Sequence, residues 1–300
     1  MKIFISSLYE GGNMELEKLF KEVERNTILV NFEKKIESEL PIGVSKFGGI
    51  PDLPEDFEWY YYEGKGFKGK VKNRPLSFLV QINCKEIKEY DKENLFPENG
   101  MLYFFYEMET MTWGFSPEDR GSAKVFYYNG DISKLKKREF PKELDKDYKM
   151  PEKRIVFSNR RDVPSYEEFN EILKDIGYDD IDDDFYDEYE EKLVKYIEND
   201  SNAIGKFLGY ADPIQGDMKL ECEKVTNGIF CGNHSELEKS MKEKMNKGSK
   251  EWQLLFQLVS VEEGDFNLMF VDCGRIYYFI KKDELKKKNF DSSWLILQCY

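Results

Sequence analysis

Apolar side chains in the first 160 residues fall in short runs bounded by turn-forming residues, the pattern of strands. "TILVNF" (27–32), "PLSFLVQIN" (75–83), "GMLYFFYE" (100–107), "KVFYYNGD" (124–131) and "RIVFS" (154–158) are rich in β-branched and aromatic residues. The second and third are apolar enough to run through an interior. One helix precedes them: over residues 13–25, Leu16, Leu19, Phe20 and Val23 repeat at helical spacing behind Asn13 as N-cap.

The period changes at residue 165. "SYEEFNEILKDIG" pairs Ser165 with Glu168 as a capping box, carries Phe169, Ile172, Leu173 and Ile176 on one stripe, and stops at Gly177. A second helix is predicted over 181–198 from the spacing of Ile181, Phe185, Tyr189, Leu193 and Tyr196. A third runs from Ser235, boxed with Glu238, to about Gly248. Strands return at "WQLLFQLVS" (252–260), "NLMFV" (267–271), "GRIYYFI" (274–280) and "WLILQC" (294–299), with a short helical piece near Asp283–Lys288.

The order of these runs repeats. "SKFGGIPDLP" (45–54) has an echo in "KFLGYADPIQGDM" (206–218), "FLVQI" (78–82) in "LLFQL" (254–258), and "GMLYFF" (100–105) in "GRIYYF" (274–279). Three blocks in one order predict an internal duplication. The expected architecture is α+β: one domain over 1–300, with two related β-rich halves, about 14–160 and 200–300, packed together and bridged by helices at 165–198. Neither half covers its own apolar face, so packing the two together buries both.

At these blocks, and at "LFPENGMLYFFYE", "WGFSPEDRGSAKVFYY" and "DSSWLILQC", the chain resembles the YwqG-like proteins from about residue 14 to its end. It departs from them at Trp59, which is followed by Tyr60 where similar proteins often have proline. The resemblance implies an α+β fold with a duplicated core and no established reaction. Some YwqG-like proteins look as though they belong to bacterial toxin–immunity settings, which implies an acidic antagonist of a basic toxin.

Composition narrows the function classes. A net charge of -14 and a pI near 4.9 work against nucleic-acid binding and anionic membranes, and suit a basic protein or peptide partner. The opening "MKIFISSLYEGG" has too short an apolar run for a secretory leader, and no window approaches a membrane span, so a cytoplasmic location is expected. The five cysteines, Cys84, Cys222, Cys231, Cys273 and Cys299, read as reduced and mostly buried. Aromatic residues make up 15% of the chain, enough bulk for a core without disulfides or metals.

Candidate chemistry is sparse. Gly48 and Gly49 offer backbone amides to an anion, or form a rigid corner with Pro51 and Pro54. In "WGFSPEDRG" (113–121), Trp113 and Arg120 suit stacking on and clamping a peptide or polar ligand; alternatively Arg120 pairs with a neighbouring acid in a turn. Gln81 and Gln257 occupy matching places in apolar strands, facing either a shared cavity or the neighbouring loops. The acidic run 179–191 puts Asp182, Asp184 and Glu191 at calcium-loop positions counted from Asp180, but Phe185 replaces the turn glycine. Cys222, Cys231 and His234, the chain's one histidine, lack metal-ligand spacing, and no Gly-x-Ser-x-Gly elbow exists. No cofactor, metal or catalytic residue is assigned. The expected function is a binding protein using the acidic surface and the 113–121 loop; the alternative is an enzyme or sensor with a pocket between the halves, lined by Gln81, Trp113, Arg120, Asp212 and Gln257.

Overall fold

The computed structural model describes residues 16–33, 39–65, 69–175, 184–196, 203–263 and 266–300. Asn13, Ile176, Gly177, Asp180, Ile181 and Asp182 lie outside these, as does the side chain of His234.

The first half contains β1 (Arg25–Phe32), β2 (Lys46–Phe47), β3 (Asp52–Leu53), β4 (Tyr61–Lys65), β5 (Val71–Pro75), β6 (Ser77–Asn83), β7 (Met101–Tyr106), β8 (Ala123–Tyr128), β9 (Lys136–Lys137) and β10 (Lys153–Asp162). The second contains β11 (Gly205–Leu208), β12 (Trp252–Val259), β13 (Val261–Glu263), β14 (Phe266–Leu268), β15 (Arg275–Lys281) and β16 (Trp294–Gln298). Helices are α1 (Leu16–Val23), α2 (Cys84–Lys88), α3 (Tyr166–Asp175), α4 (Asp184–Tyr196), α5 (Lys219–Thr226), α6 (Lys239–Ser249) and α7 (Lys282–Lys286).

Ten strands join in one sheet, in the order β16-β15-β12-β11-β1-β10-β2-β6-β7-β8. Its centre is the antiparallel pair β1–β10, in which Arg25 faces Asp162 and Phe32 faces Ile155. The sheet curls until its flanks meet. Tyr278 of β15 donates to the Phe105 carbonyl of β7 at 3.0 Å, and Lys124 of β8 reaches Asp291, just before β16, at 2.8 Å. Inside the curl, aromatic side chains from both flanks interlock: Phe207 stacks on Phe256 with centroids 4.4 Å apart, and Phe104 meets Phe256 at 4.8 Å.

The outer faces are covered separately. Phe78, Met101, Tyr103 and Phe105 pack under Leu53, Tyr62 and Leu76 of the first half. Leu254, Tyr277, Phe279 and Trp294 pack under Met218, Cys222 and Val225, the last two on α5. A third cluster joins α1, α3 and α4 through Leu19, Phe20, Phe169, Leu173 and Tyr189. Among the described residues, no helix is long and apolar enough to cross a membrane.

Pairing registers on the two flanks correspond closely. Lys46 and Phe47 of β2 face Gln81 and Val80 of β6; Lys206 and Phe207 of β11 face Gln257 and Phe256 of β12. Gln81 then faces Tyr103, and Gln257 faces Tyr277. Each long pair carries a bulge at the corresponding place, between Phe78 and Val80 and between Leu254 and Phe256. A bulge sends two successive residues toward one side. The outer Phe78 and Leu254 are accordingly each followed by two residues of the interior cluster.

The predicted third helix is corrected. Residues Cys231–Glu236 form 3-10 turns, and the α-helix begins at Lys239 with Glu238 extended before it (φ -61, ψ 152) and making no side-chain cap bond. The acid of the expected box thus stands outside the helix, where it cannot complete a reciprocal cap. At α3 the Ser165 hydroxyl does accept the Glu168 amide at 3.4 Å, but the Glu168 carboxylate turns to Lys219 instead.

Candidate functional site

The two glycine turns hold buried lysines. After β2 the chain passes through Gly48 and Gly49 with φ of 56 and 65; after β11 it passes through Leu208 and Gly209 with φ of 60 and 68. Left-handed backbone reverses the chain so that Asp52 and Asp212 return beside the lysines. Lys46 Nζ donates to Glu152 at 2.8 Å and to the Ile50 carbonyl at 2.7 Å. Lys206 Nζ donates to Asp162 at 3.0 Å and Asp212 at 2.8 Å.

The glutamines bind those same turns. Gln81 accepts from the Asp52 amide at 2.9 Å and donates to the Asp52 carboxylate at 2.7 Å; Gln257 accepts from the Asp212 amide at 2.9 Å and donates to its carboxylate at 3.0 Å. Tyr103 and Tyr277 donate to the Asp52 and Asp212 carbonyls. Buried amides must find partners, and here each finds them within its own turn. Asp212 keeps 44% of its side chain exposed; partial desolvation in the turn opposes its ionisation, yet the Lys206 ammonium and the Gln257 amide hold its carboxyl below the ordinary aspartate range.

Trp113 and Arg120 belong to a different element, the loop between β7 and β8. It is fixed from inside: the buried Glu107 carboxylate accepts the Glu109 and Thr110 amides at 2.9 and 3.0 Å and the Thr112 hydroxyl at 3.1 Å. Asp119 accepts the Gly114 and Ser116 amides at 3.0 and 3.1 Å. Burial pushes the Asp119 carboxyl up, against the pull of these amides. Gly114 (φ 82) presses on β16 so closely that a Cβ would lie 1.9 Å from the Leu295 carbonyl oxygen. Arg120 is exposed, its guanidinium 5.4 Å from the centre of the buried Trp294 ring, a cation–π contact.

Segments tied to this loop carry exposed apolar residues. Met111 Sδ accepts the Val271 amide, Trp113 O the Leu297 amide and Phe115 O the Cys231 amide, and Tyr300 N donates to Asp272. Trp113, Phe230, Val271 and Tyr300 are all exposed. Trp113 and Arg120 share this loop, whereas Gln81, Gly48 and Gly49 belong to the first turn, and Asp212 and Gln257 to the second.

A second concavity, missed by sequence reasoning, lies between α3 and the second flank. It has a volume of about 680 Å³ and is lined by the charged residues Arg25, Glu168, Glu171, Asp175, Asp217, Lys219, Glu221, Lys250 and Lys282, with Ile172, Leu220 and Trp252 as its apolar residues. Burial pushes the Asp217 carboxyl up to about 6 and draws the Lys282 ammonium down. No motif marks this cleft, because its residues come from five separate stretches of chain. A smaller hollow of about 360 Å³ lies next to it, lined by Arg25, Lys92, Arg160 and Arg161 with Glu24, Asn26 and Asn159.

Among the described residues, no group of three or more His, Cys, Asp or Glu is arranged to hold a metal ion. Cys222 is buried against Trp252, and burial raises both its thiol and that of Cys231, the latter to about 12. Asp184 opens α4 and Glu191 pairs with Lys195, while the earlier calcium-loop positions lie outside the described residues. All five cysteines are free; Cys84, Cys222 and Cys299 are buried and Cys273 is exposed.

A family model described as "Domain of unknown function (DUF1963)" matches residues 45–299. The chain belongs to the DUF1963 family. The DUF1963 match opens at Ser45, the residue before β2, and closes at Cys299 beside β16, so it takes in both turns, the β7–β8 loop and most of the charged cleft. It leaves out β1, although β1 sits at the centre of the sheet. No curated protein matches the chain.

Proposed function

We propose that this DUF1963 chain is a cytoplasmic binding protein, and that the rim of the β7–β8 loop is the face that meets its partner, a basic protein or peptide. The observation that carries this reading is the exposure of Trp113, Phe230, Val271 and Tyr300 on segments tied by backbone bonds to, or next to, a loop fixed by Glu107, Asp119 and Gly114. Exposed aromatic side chains on a pre-ordered frame supply contact area at small entropic cost. The charge of -14 favours a basic partner, and Arg120 and Glu118 at the rim offer it polar contacts. A basic toxin of the kind the YwqG-like resemblance implies fits that description.

The two flanks, in this reading, descend from one duplicated unit. The matching registers, bulges and Lys–Asp–Gln–Tyr sets support it. Gly48, Gly49, Gln81, Asp212 and Gln257 then serve the turns, and Trp113 and Arg120 serve recognition.

The test is affinity capture at low and high salt with wild type, Trp113→Ala and Phe230→Ser, identifying captured proteins by mass spectrometry. A basic partner held at low salt, released at high salt and lost by at least tenfold with either variant is expected. A partner indifferent to both substitutions rules out this face.

A further inference from the structure

We propose that the cleft between α3 and the second flank binds a small zwitterion whose two charges are held apart, a di- or tripeptide with free ends. This site is separate from the β7–β8 loop and stands independently of the function assigned to it.

The cleft is bipolar. At one pole Arg25 and Lys282 repel each other: the Arg25 guanidinium lies 4.4 Å from the Tyr210 ring centre, and Lys282 Nζ donates to the Lys250 carbonyl at 2.7 Å while the charges of Glu251 and Glu168 act on it from nearby. At the other pole Asp217 and Glu221 repel each other; Asp217 is 3.9 Å from Lys219, and Glu221 Oε2 is buried with no hydrogen-bond partner among the described residues. A buried carboxylate oxygen without a partner is costly, and a ligand ammonium would supply its missing donor.

Between the poles stands the ion pair Lys219–Glu168, whose charges act on Asp217 and on Lys282 alike. The ligand that suits this arrangement carries one charge on either side of the ion pair. A peptide backbone links two such charges and offers amides to the ion pair in its middle. The volume of about 680 Å³ falls within the ~300–1,000 Å³ of small-molecule sites, and Ile172, Leu220 and Trp252 give apolar wall for a side chain.

The charged groups facing Asp217 fix the direction of a pH effect. Those that act on it are Glu168 from α3 and Lys219 and Glu221 from α5; Glu171, Asp175, Arg25, Lys250 and Lys282 line the same cleft. With its carboxyl pushed up to about 6, Asp217 is half protonated near that pH and carries its full charge well above it. Zwitterion affinity therefore rises as pH increases through about 6.

The experiment is calorimetric titration of the full chain with triglycine and trileucine, beside N-acetyl-triglycine and triglycine amide, each of which lacks one charge. Saturable binding of a free-ended peptide is expected, at least tenfold weaker for either blocked form, and tighter above pH 6 than below it. Asp217→Asn should weaken triglycine tenfold and leave N-acetyl-triglycine unchanged; Arg25→Gln should weaken triglycine tenfold and leave its amide unchanged. The blocked peptides test the idea on the wild-type protein, so a variant that fails to fold does not obscure the result. Equal binding of free and blocked forms, or no saturation by either free-ended peptide, overturns the proposal. Trp113→Ala should leave this binding untouched, which separates it from the partner face.

Discussion

The first turn and the second solve one problem in opposite ways. Each buries a lysine between a carboxylate on its own turn and one supplied by β10 or the residue before it. At the first, Asp52 of the turn is buried (1% exposed) and Glu152 is open (30%); at the second, Asp162 is buried (1%) and Asp212 of the turn is open (44%). A buried ammonium demands a counter-charge, but the demand does not say which side provides it. Strand register fixes where the lysine sits. The distribution of the acids around it is free to vary.

The strongest way to break this comparison is to remove its axis. Without residues 1–44, β1 is lost, β10 and β11 face each other across an empty place, and Ile28, Leu29 and Val30 leave the core. Because a domain's whole margin is only about 5–15 kcal/mol, the 45–300 fragment should show no cooperative thermal transition by circular dichroism. A fragment that melts cooperatively would make the DUF1963 match a self-sufficient unit and β1 an accessory.

The exchanged roles of the acids predict unequal costs. Asp162 accepts from Lys206, from the Tyr210 amide at 2.9 Å and from Arg160 at 3.2 Å, all at a buried site. Asp162→Asn should cost about 3 kcal/mol in urea denaturation, since it leaves buried cations short of charge. Glu152→Gln, at a site open to solvent, should cost under about 1 kcal/mol. Similar values for the two would mean that burial does not govern these pairs.

A smaller effect separates Gly48 from Leu208, which share positive φ at corresponding places. A Cβ on Gly48 would lie 2.3 Å from the Pro151 carbonyl oxygen, while Leu208 carries a full side chain into the core. Gly48→Ala should lower stability by roughly 2 kcal/mol from left-handed strain together with that clash. A variant melting with the wild type would show that the chain at Pro151 gives way without cost.

Much of the sheet is readable from the chain. The runs at 75–83, 100–107, 252–260 and 274–280 contain β6, β7, β12 and most of β15, because apolar runs of strand length fit a buried pleated surface. The hairpin β4–β5 is not readable, since "YYEGK" and "VKNRP" carry charge on both sides of a mostly exposed ribbon. Nor is α5, whose "LECEKV" alternates apolar and acidic residues instead of showing a helical stripe. Its buried Glu223 is held by Asn227 one turn on, and by the Trp252 indole and Lys281, both distant in sequence. The candidate residues Trp113 and Arg120 were legible as a mixed aromatic and charged loop, but the Phe230, Val271 and Tyr300 of the segments tied or next to it were not, because single exposed apolar residues carry no local signal.

By itself the sequence determined the local elements and the repeated phrases, since periodicity and turn chemistry act over a few residues. Tertiary structure alone decided that β1 stands between β10 and β11, that Glu152 and Asp162 balance lysines 106 and 44 positions away, and that α3 meets the second flank across a cleft. Those choices depend on sheet register and on the burial of charge, which exist only when distant stretches of chain are brought together.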